Sequence, residues 1–434
     1  MSTPLDAALH LARQRDGRWQ LRSTRAEWAA AMLRGRPAGH APMLLPGLYA
    51  LCGGAHRLAA RHALAAARGP ASDATCEGAT SASTDAQALR LDTLREHLRR
   101  LWLDAPRVAA AGGGAVAAPA ALDLAAAPFM PAATDLGDAA TEAATRRWVE
   151  SHVLHGDAEA WLAAWEADAA SHAARWGATA DTWPARWLGI VQGLLGDRAA
   201  PCRPLRAAAS GAGLQALADA LRTQAGFALA PTEGGQPAET GCWTRLADPR
   251  LAGLAHVAAA ATPAPMQPLW LRHAARIAEI ARLVSHGGAT WLAQGRFTPA
   301  ADAAQTVGTP AANATRAAGT PPDAVHTTLG ASESASGAPT PPLREGLGWC
   351  EMARGLLVHW VRLDADDRIA DYRVLAPTEW NFHPAGSAAQ ALAACAGQTP
   401  STGVDMAQLL ATAAAYDPCV ELRLEDRPQE PADA

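Results

Sequence analysis

From Thr298 to Pro342 the chain runs through Ala, Gly, Thr, Ser and Pro with almost no large apolar side chain. A stretch of this kind cannot bury enough surface to offset the entropy of ordering it, so it reads as a flexible linker or insertion. Any core must close across this gap, between 1–297 on one side and 343–434 on the other. Two shorter stretches read as connectors: 69–87, rich in Ser, Thr and Ala, and 109–138, which alternates Ala, Gly and Pro. No internal repeat is visible.

Between the gaps the pattern is helical. Alanine makes up about a quarter of the chain, which favours helix wherever Pro and Gly are absent. Helices are predicted over 25–36 and 56–68, with a turn at Pro42, Pro46 and Gly47 between them. Over 89–103, Leu91, Leu94, Leu98 and Leu101 form one apolar stripe. Further helices are predicted over 141–176, 269–284 and 404–416, the last stopped at Asp417-Pro418. Trp148, Trp161, Trp165 and Trp176 are its simplest core anchors. Over 355–376 the period changes: two β-prone runs flank Asp364-Ala365-Asp366-Asp367, which predicts a β-hairpin. The class is therefore α+β, predominantly helical.

All 37 basic residues are arginine, and the formal net charge of −5 argues against a non-specific nucleic-acid binder. The arginines of 95–107 read as a solvated helix face. Residues 1–25 have no apolar signal-peptide core, and the least charged stretches, 380–404 and 251–271, are broken by Pro, Gly or polar residues. No membrane insertion and a cytoplasmic location are expected. Cysteines stand at 52, 76, 202, 242, 350, 395 and 419, with no C-x-x-C pair, so reduced thiols are expected rather than disulfides or a zinc finger. His152 and His155 share a helix face with Glu150 and Asp157, which reads as solvated surface rather than a metal site.

Two blocks at opposite ends carry a pattern. The first runs from Leu33-Arg34-Gly35-Arg36 through Ala41-Pro42 and Pro46 to Cys52-Gly53-Gly54-Ala55-His56-Arg57-Leu58-Ala59. The second runs from Glu351-Met352-Ala353-Arg354-Gly355-Leu356-Leu357-Val358-His359-Trp360 to Ala376-Pro377-Thr378-Glu379-Trp380-Asn381, and ends at Asp417-Pro418-Cys419. Both resemble the large subunit of nickel–iron hydrogenases, in order and without a gap in the first block. The departures are as informative. Tyr49 stands where the family has the first cysteine of its N-terminal pair, and Gly47 where it has an arginine. Leu422 replaces the second C-terminal cysteine and Glu425 the closing histidine. The family's R-I-E-G-H segment is absent.

One thiolate of each pair is left where a nickel–iron centre needs four, so the resemblance implies a protein that is not an enzyme. It points to the hydrogenase-assembly accessories of the HupK/HoxV type, which resemble degenerate large subunits. Their implied role is a scaffold that transiently holds an iron fragment, Fe(CN)2CO, before transfer to the large subunit, with no nickel bound. The implied partners are the large subunit and its iron-loading chaperones. In this register Cys52 and Cys419 are the metal ligands, Arg354, Pro377 and Thr378 form the cyanide and carbonyl pocket, and His56 supports a thiolate from behind. Two alternatives stand beside this reading. One is a metal-free chaperone that only binds such partners. The other is a quinone-reductase subunit of complex I, against which Arg354 and Asp417-Pro418-Cys419 speak.

Overall fold

The computed structural model describes residues 7–69, 79–112, 124–131, 134–246, 266–300, 343–397 and 405–425. Of the stretches read as connectors, 70–78, 113–123 and 132–133 lie outside them, as does 301–342 of the long gap. Among the described residues the architecture is α+β and mostly helical.

The first and last described strands meet in one small sheet. Strand β1 (Ala8–Arg13) pairs antiparallel with β2 (Trp19–Ser23) and parallel with β9 (Glu421–Glu425), so that Ala8 faces Glu421. A second pairing joins the short strands β3 (Ala199–Pro201) and β4 (Met266–Pro268). The third sheet is antiparallel, in the order β5 (Gln294–Phe297), β6 (Arg344–Met352), β7 (Gly355–Leu363), β8 (Ile369–Leu375). The predicted hairpin is its β7–β8 half. Its turn is held by the Asp364 carboxylate, which accepts from the backbone N–H groups of Asp366 and Arg368.

β6 escaped the sequence reading because glycines interrupt it, and the packing explains them. The helix Gly53–Arg68 lies directly across this strand. A Cβ on Gly346 would stand 2.1 Å from the Ala63 carbonyl oxygen, and one on Gly348 would stand 2.2 Å from that of Ala59. Alanine on the helix and glycine on the strand allow a backbone-to-backbone approach that no larger pair permits.

Other differences have local causes. Pro42 and Pro46 do not make a turn; they lie inside the helix Ala41–Leu48, Pro42 near its start, where its missing N–H costs nothing. The segment 141–176 is not one helix but Ala139–Val149, Ala158–Ala167 and Ala169–Thr179. The break comes at His155, which adopts a left-handed φ of 55°, and at Asp157 and Asp168, whose carboxylates cap the next two helices. The Leu89 stripe belongs to a longer helix, Ala79–Arg99, which begins inside the predicted connector and continues through a wide turn into Ala105–Ala111. The helices Leu269–Val284 and Met406–Ala415 stand where periodicity places them. Trp161, Trp165 and Trp176 are buried, and Trp148 packs half-buried against the same core.

Candidate functional site

Four short segments deliver the site. Cys52 is the residue before the helix Gly53–Arg68. Arg354 lies in the tight turn between β6 and β7, closed by Gly355 at φ 125°, where a Cβ would lie 2.6 Å from the Thr240 side chain. Pro377 and Thr378 open the short helix Pro377–Asn381 immediately after β8, both buried. Cys419 stands two residues before β9, and the parallel pairing of β9 with β1 carries it to Arg25, just past β2.

The Cys419 sulfur accepts a hydrogen bond from the Thr378 hydroxyl at 3.1 Å and another from Arg25 Nη1. Arg25 Nε in turn donates to the buried Glu379 carboxylate at 2.6 Å. Burial alone would lower the pKa of Arg25, but Cys419 and Glu379 raise it above its ordinary value. Arg354, 2 % exposed, donates through Nη2 to Glu96, while its Nε and Nη1 have no hydrogen-bond partner among the described residues. Asp417 precedes Pro418 with a left-handed φ of 54°, a conformation that both its own Cβ and the following proline disfavour. Arg100 Nε lies 3.0 Å and Arg276 Nη2 3.5 Å from its carboxylate, and Arg100 Nη2 donates to the Pro418 carbonyl at 2.6 Å. Burial would push the Asp417 carboxyl up, yet Arg276, Arg100 and Arg354 hold it well below the usual carboxylate range.

Cys52 and Cys419 are close enough for their charges to interact. Burial pushes the Cys52 thiol up to about 12, opposed chiefly by Arg354. Beside it opens a cavity of about 350 Å³, lined by Cys52, Gly53, Glu96 and Arg354 and, at its lip, by Pro46 and the exposed Leu51. On the inner side the Tyr49 ring stacks on His56, with centroids 3.9 Å apart and planes 9° from parallel. The buried His56 Nδ1 lies 3.0 Å from His359 Nε2, and His359 Nδ1 lies 2.7 Å from the Tyr372 hydroxyl.

The structure thus gathers Cys52, Cys419, Arg354, Thr378 and His56 into one region, with Pro377 as the buried first residue of the helix beside it. The sequence reading missed Arg25, Glu96 and Glu379 as members, and read Asp417 as a helix stop and a motif residue without giving it a role in the site. Glu379 had a signal, lying inside the Pro377–Asn381 motif; Arg25 and Glu96 had none. Cys202, Cys242 and Cys395 are buried elsewhere, Cys350 is buried behind Cys52 with its sulfur 3.6 Å from the Ala55 carbonyl oxygen, and Cys76 lies outside the described residues. Among the described residues no three His, Cys, Asp or Glu side chains are grouped to hold a metal ion, and no helix is long and apolar enough to cross a membrane.

Residues 318–421 match the family described as nickel-dependent hydrogenase. Over 413 residues the chain is 34 % identical to the hydrogenase expression/formation protein HoxV of Cupriavidus necator, covering 92 % of this chain and 91 % of that protein. The chain belongs to the HoxV/HupK family of hydrogenase expression/formation proteins. A HupK of Bradyrhizobium diazoefficiens is 32 % identical over 214 residues, 49 % of this chain and 46 % of that one. Among solved structures, an NAD+-reducing [NiFe]-hydrogenase in the H2-reduced state aligns over 93 % of both chains, at 16 % identity and a TM-score of 0.49. As a HoxV/HupK-family member the chain carries a hydrogenase large-subunit-like pattern with one cysteine left at each end of the site.

Proposed function

We propose that this chain is a non-catalytic, cytoplasmic accessory of nickel–iron hydrogenase maturation that transiently holds an Fe(CN)2CO fragment as cargo, without nickel. Membership in the expression/formation family supports the accessory role. The observation that carries the cargo reading is Arg354: a buried guanidinium with two nitrogens unpartnered, lining the same cavity as Cys52. Cyanide nitrogens are strong acceptors, and a buried cation with free N–H groups is the donor they require. Low-spin iron with carbon ligands prefers sulfur to carboxylate oxygen, which suits Cys52 and Cys419.

Charge supports the same reading. Counting the inner groups alone, the cations Arg25, Arg100, Arg276 and Arg354 exceed the carboxylates Glu96, Glu379 and Asp417 by one; Arg100 also pairs at 2.6 Å with the more exposed Asp104. The fragment is formally neutral, so one thiolate bound to it leaves the site neutral and two leave it with a single negative charge. Thr378 reaches Cys419 and stands beside the place a second cyanide would take, with Pro377 shaping the wall. His56 supports the thiolate side. Iron-loading chaperones are the donors expected on this reading, and the large subunit the acceptor.

The competing reading is a metal-free chaperone for the same partners, which needs no group of three ligand side chains, and none stands among the described residues. A complex that brings three carbon ligands of its own needs few protein ligands, which is why the cargo reading stands first. Infrared spectra of protein purified anaerobically from cells with intact maturation machinery decide between them. Cyanide and carbonyl bands in the wild type, lost in Cys52→Ala or Cys419→Ala, are the expected result. No bands in the wild type, with partners still co-purifying, would leave the chaperone.

A further inference from the structure

Two buried histidines in hydrogen-bond contact, with no carboxylate bonded to either, pose a question of proton placement. His56 and His359 are 1 % and 0 % exposed and bond one another through Nδ1 and Nε2. Burial holds both rings far below their ordinary pKa, helped at His56 by the neighbouring His359, Arg25 and Arg354, so each is a neutral imidazole. A neutral imidazole has one donor and one acceptor nitrogen. The assignment therefore depends on what the far end of the chain can do.

That end is Tyr372, fully buried, whose hydroxyl bonds His359 Nδ1 and no other group among the described residues. Were it to accept from His359, its own proton would be left buried without an acceptor, which native interiors avoid. The phenol therefore donates to His359 Nδ1. The His359 proton must then sit on Nε2, where it is donated to His56 Nδ1. The His56 proton must sit on Nε2. That nitrogen has no hydrogen-bond partner among the described residues, yet it is not one of the polar atoms sealed from solvent. His56 follows Cys52 by four residues across the first turn of the helix, and helical side chains lean toward the N-terminus. The stacked Tyr49 ring keeps the imidazole plane from rotating.

We propose that Tyr372 and His359 are positioning residues that lock His56 as its Nε2–H tautomer, so that it presents a fixed N–H donor to the anionic acceptor at Cys52, thiolate or cyanide. The identity of that acceptor rests on the cargo reading above; the proton assignment does not. The relay also joins the two motif blocks, since Tyr49 and His56 come from the first, and His359 and the strand that follows it, carrying Tyr372, from the second.

The test is 15N spectroscopy of the imidazole nitrogens in the full-length protein, with His56 assigned by loss of its signals in His56→Gln. The expected wild-type result is a neutral His56 ring protonated at Nε2. In Tyr372→Phe the polarity is released and His56 shifts to a mixture of both tautomers, while His359→Gln removes the ring and gives a second perturbation. A His56 proton on Nδ1 in the wild type overturns the proposal. So does a His56 spectrum unchanged in a folded Tyr372→Phe. Infrared bands serve as the separate reading of cargo: their absence would sink the scaffold role, leaving the nitrogen spectra to decide the relay.

Discussion

At Cys52 two effects oppose each other. The amide groups at the start of the helix favour a thiolate, and Arg354 adds to them, while burial disfavours any charge. Burial wins, and pushes the thiol well above its ordinary pKa, to about 12. Binding metal must then expel this proton. Loading through Cys52 is expected to strengthen about tenfold per unit rise in pH across the neutral range, because one proton leaves for each site filled. Infrared band intensity at fixed supply of the fragment, followed between pH 6 and 8, checks it; a flat profile would mean that Cys52 is not the group deprotonated. The cysteines, Arg354 and Thr378 were legible because each lies in a contiguous motif. Arg25 and Glu96 were not, since what makes them members is a partner hundreds of positions away, Cys419 for one and Arg354 for the other.

Among the elements, the contact of the helix Gly53–Arg68 with β6 is the tightest joint near the site, since it fixes both Cys52 and the Arg354 turn. Gly348→Ala would press a methyl into the helix backbone, and overpacking of this kind costs roughly 1–3 kcal/mol or more. Gly193, exposed on the helix Trp183–Leu195 with nothing near its missing Cβ, is the opposite case. Gly193→Ala should stabilise by about 0.5–1 kcal/mol through helix propensity alone. Urea midpoints of the two variants should therefore move in opposite directions. The same joint shows why β6 was hidden. Alternation of apolar residues identifies a strand that meets side chains, as in β7 and β8, whereas a strand that meets backbone is written in glycine and looks like a loop. The long helices were legible because nothing but their own periodicity was needed to define them.

For the whole molecule, the long low-complexity segment enters between antiparallel neighbours, β5 and β6, where Phe297 faces Leu347. Its two flanks are thus already side by side, and loop length adds little to the entropy of closing such a pair. Replacing 301–342 by a loop of about five residues, a common hairpin length, is expected to leave the melting temperature within a few degrees and the infrared bands in place. A large loss of stability would show that the segment packs on the core. The sequence could say that the core closes across this gap, but not how. Strand pairing between β1 and β9 depends on register and partner choice, which short edge strands do not announce.

That pairing also sets an order in time. β1 is synthesised well before β9, so Cys52 is made long before Cys419 can be brought beside it. A nascent chain carries an isolated thiol and an unfinished pocket, and the donor pair exists only after the late strand has docked. On the cargo reading proposed above, delivery to both cysteines has to wait until that strand has docked.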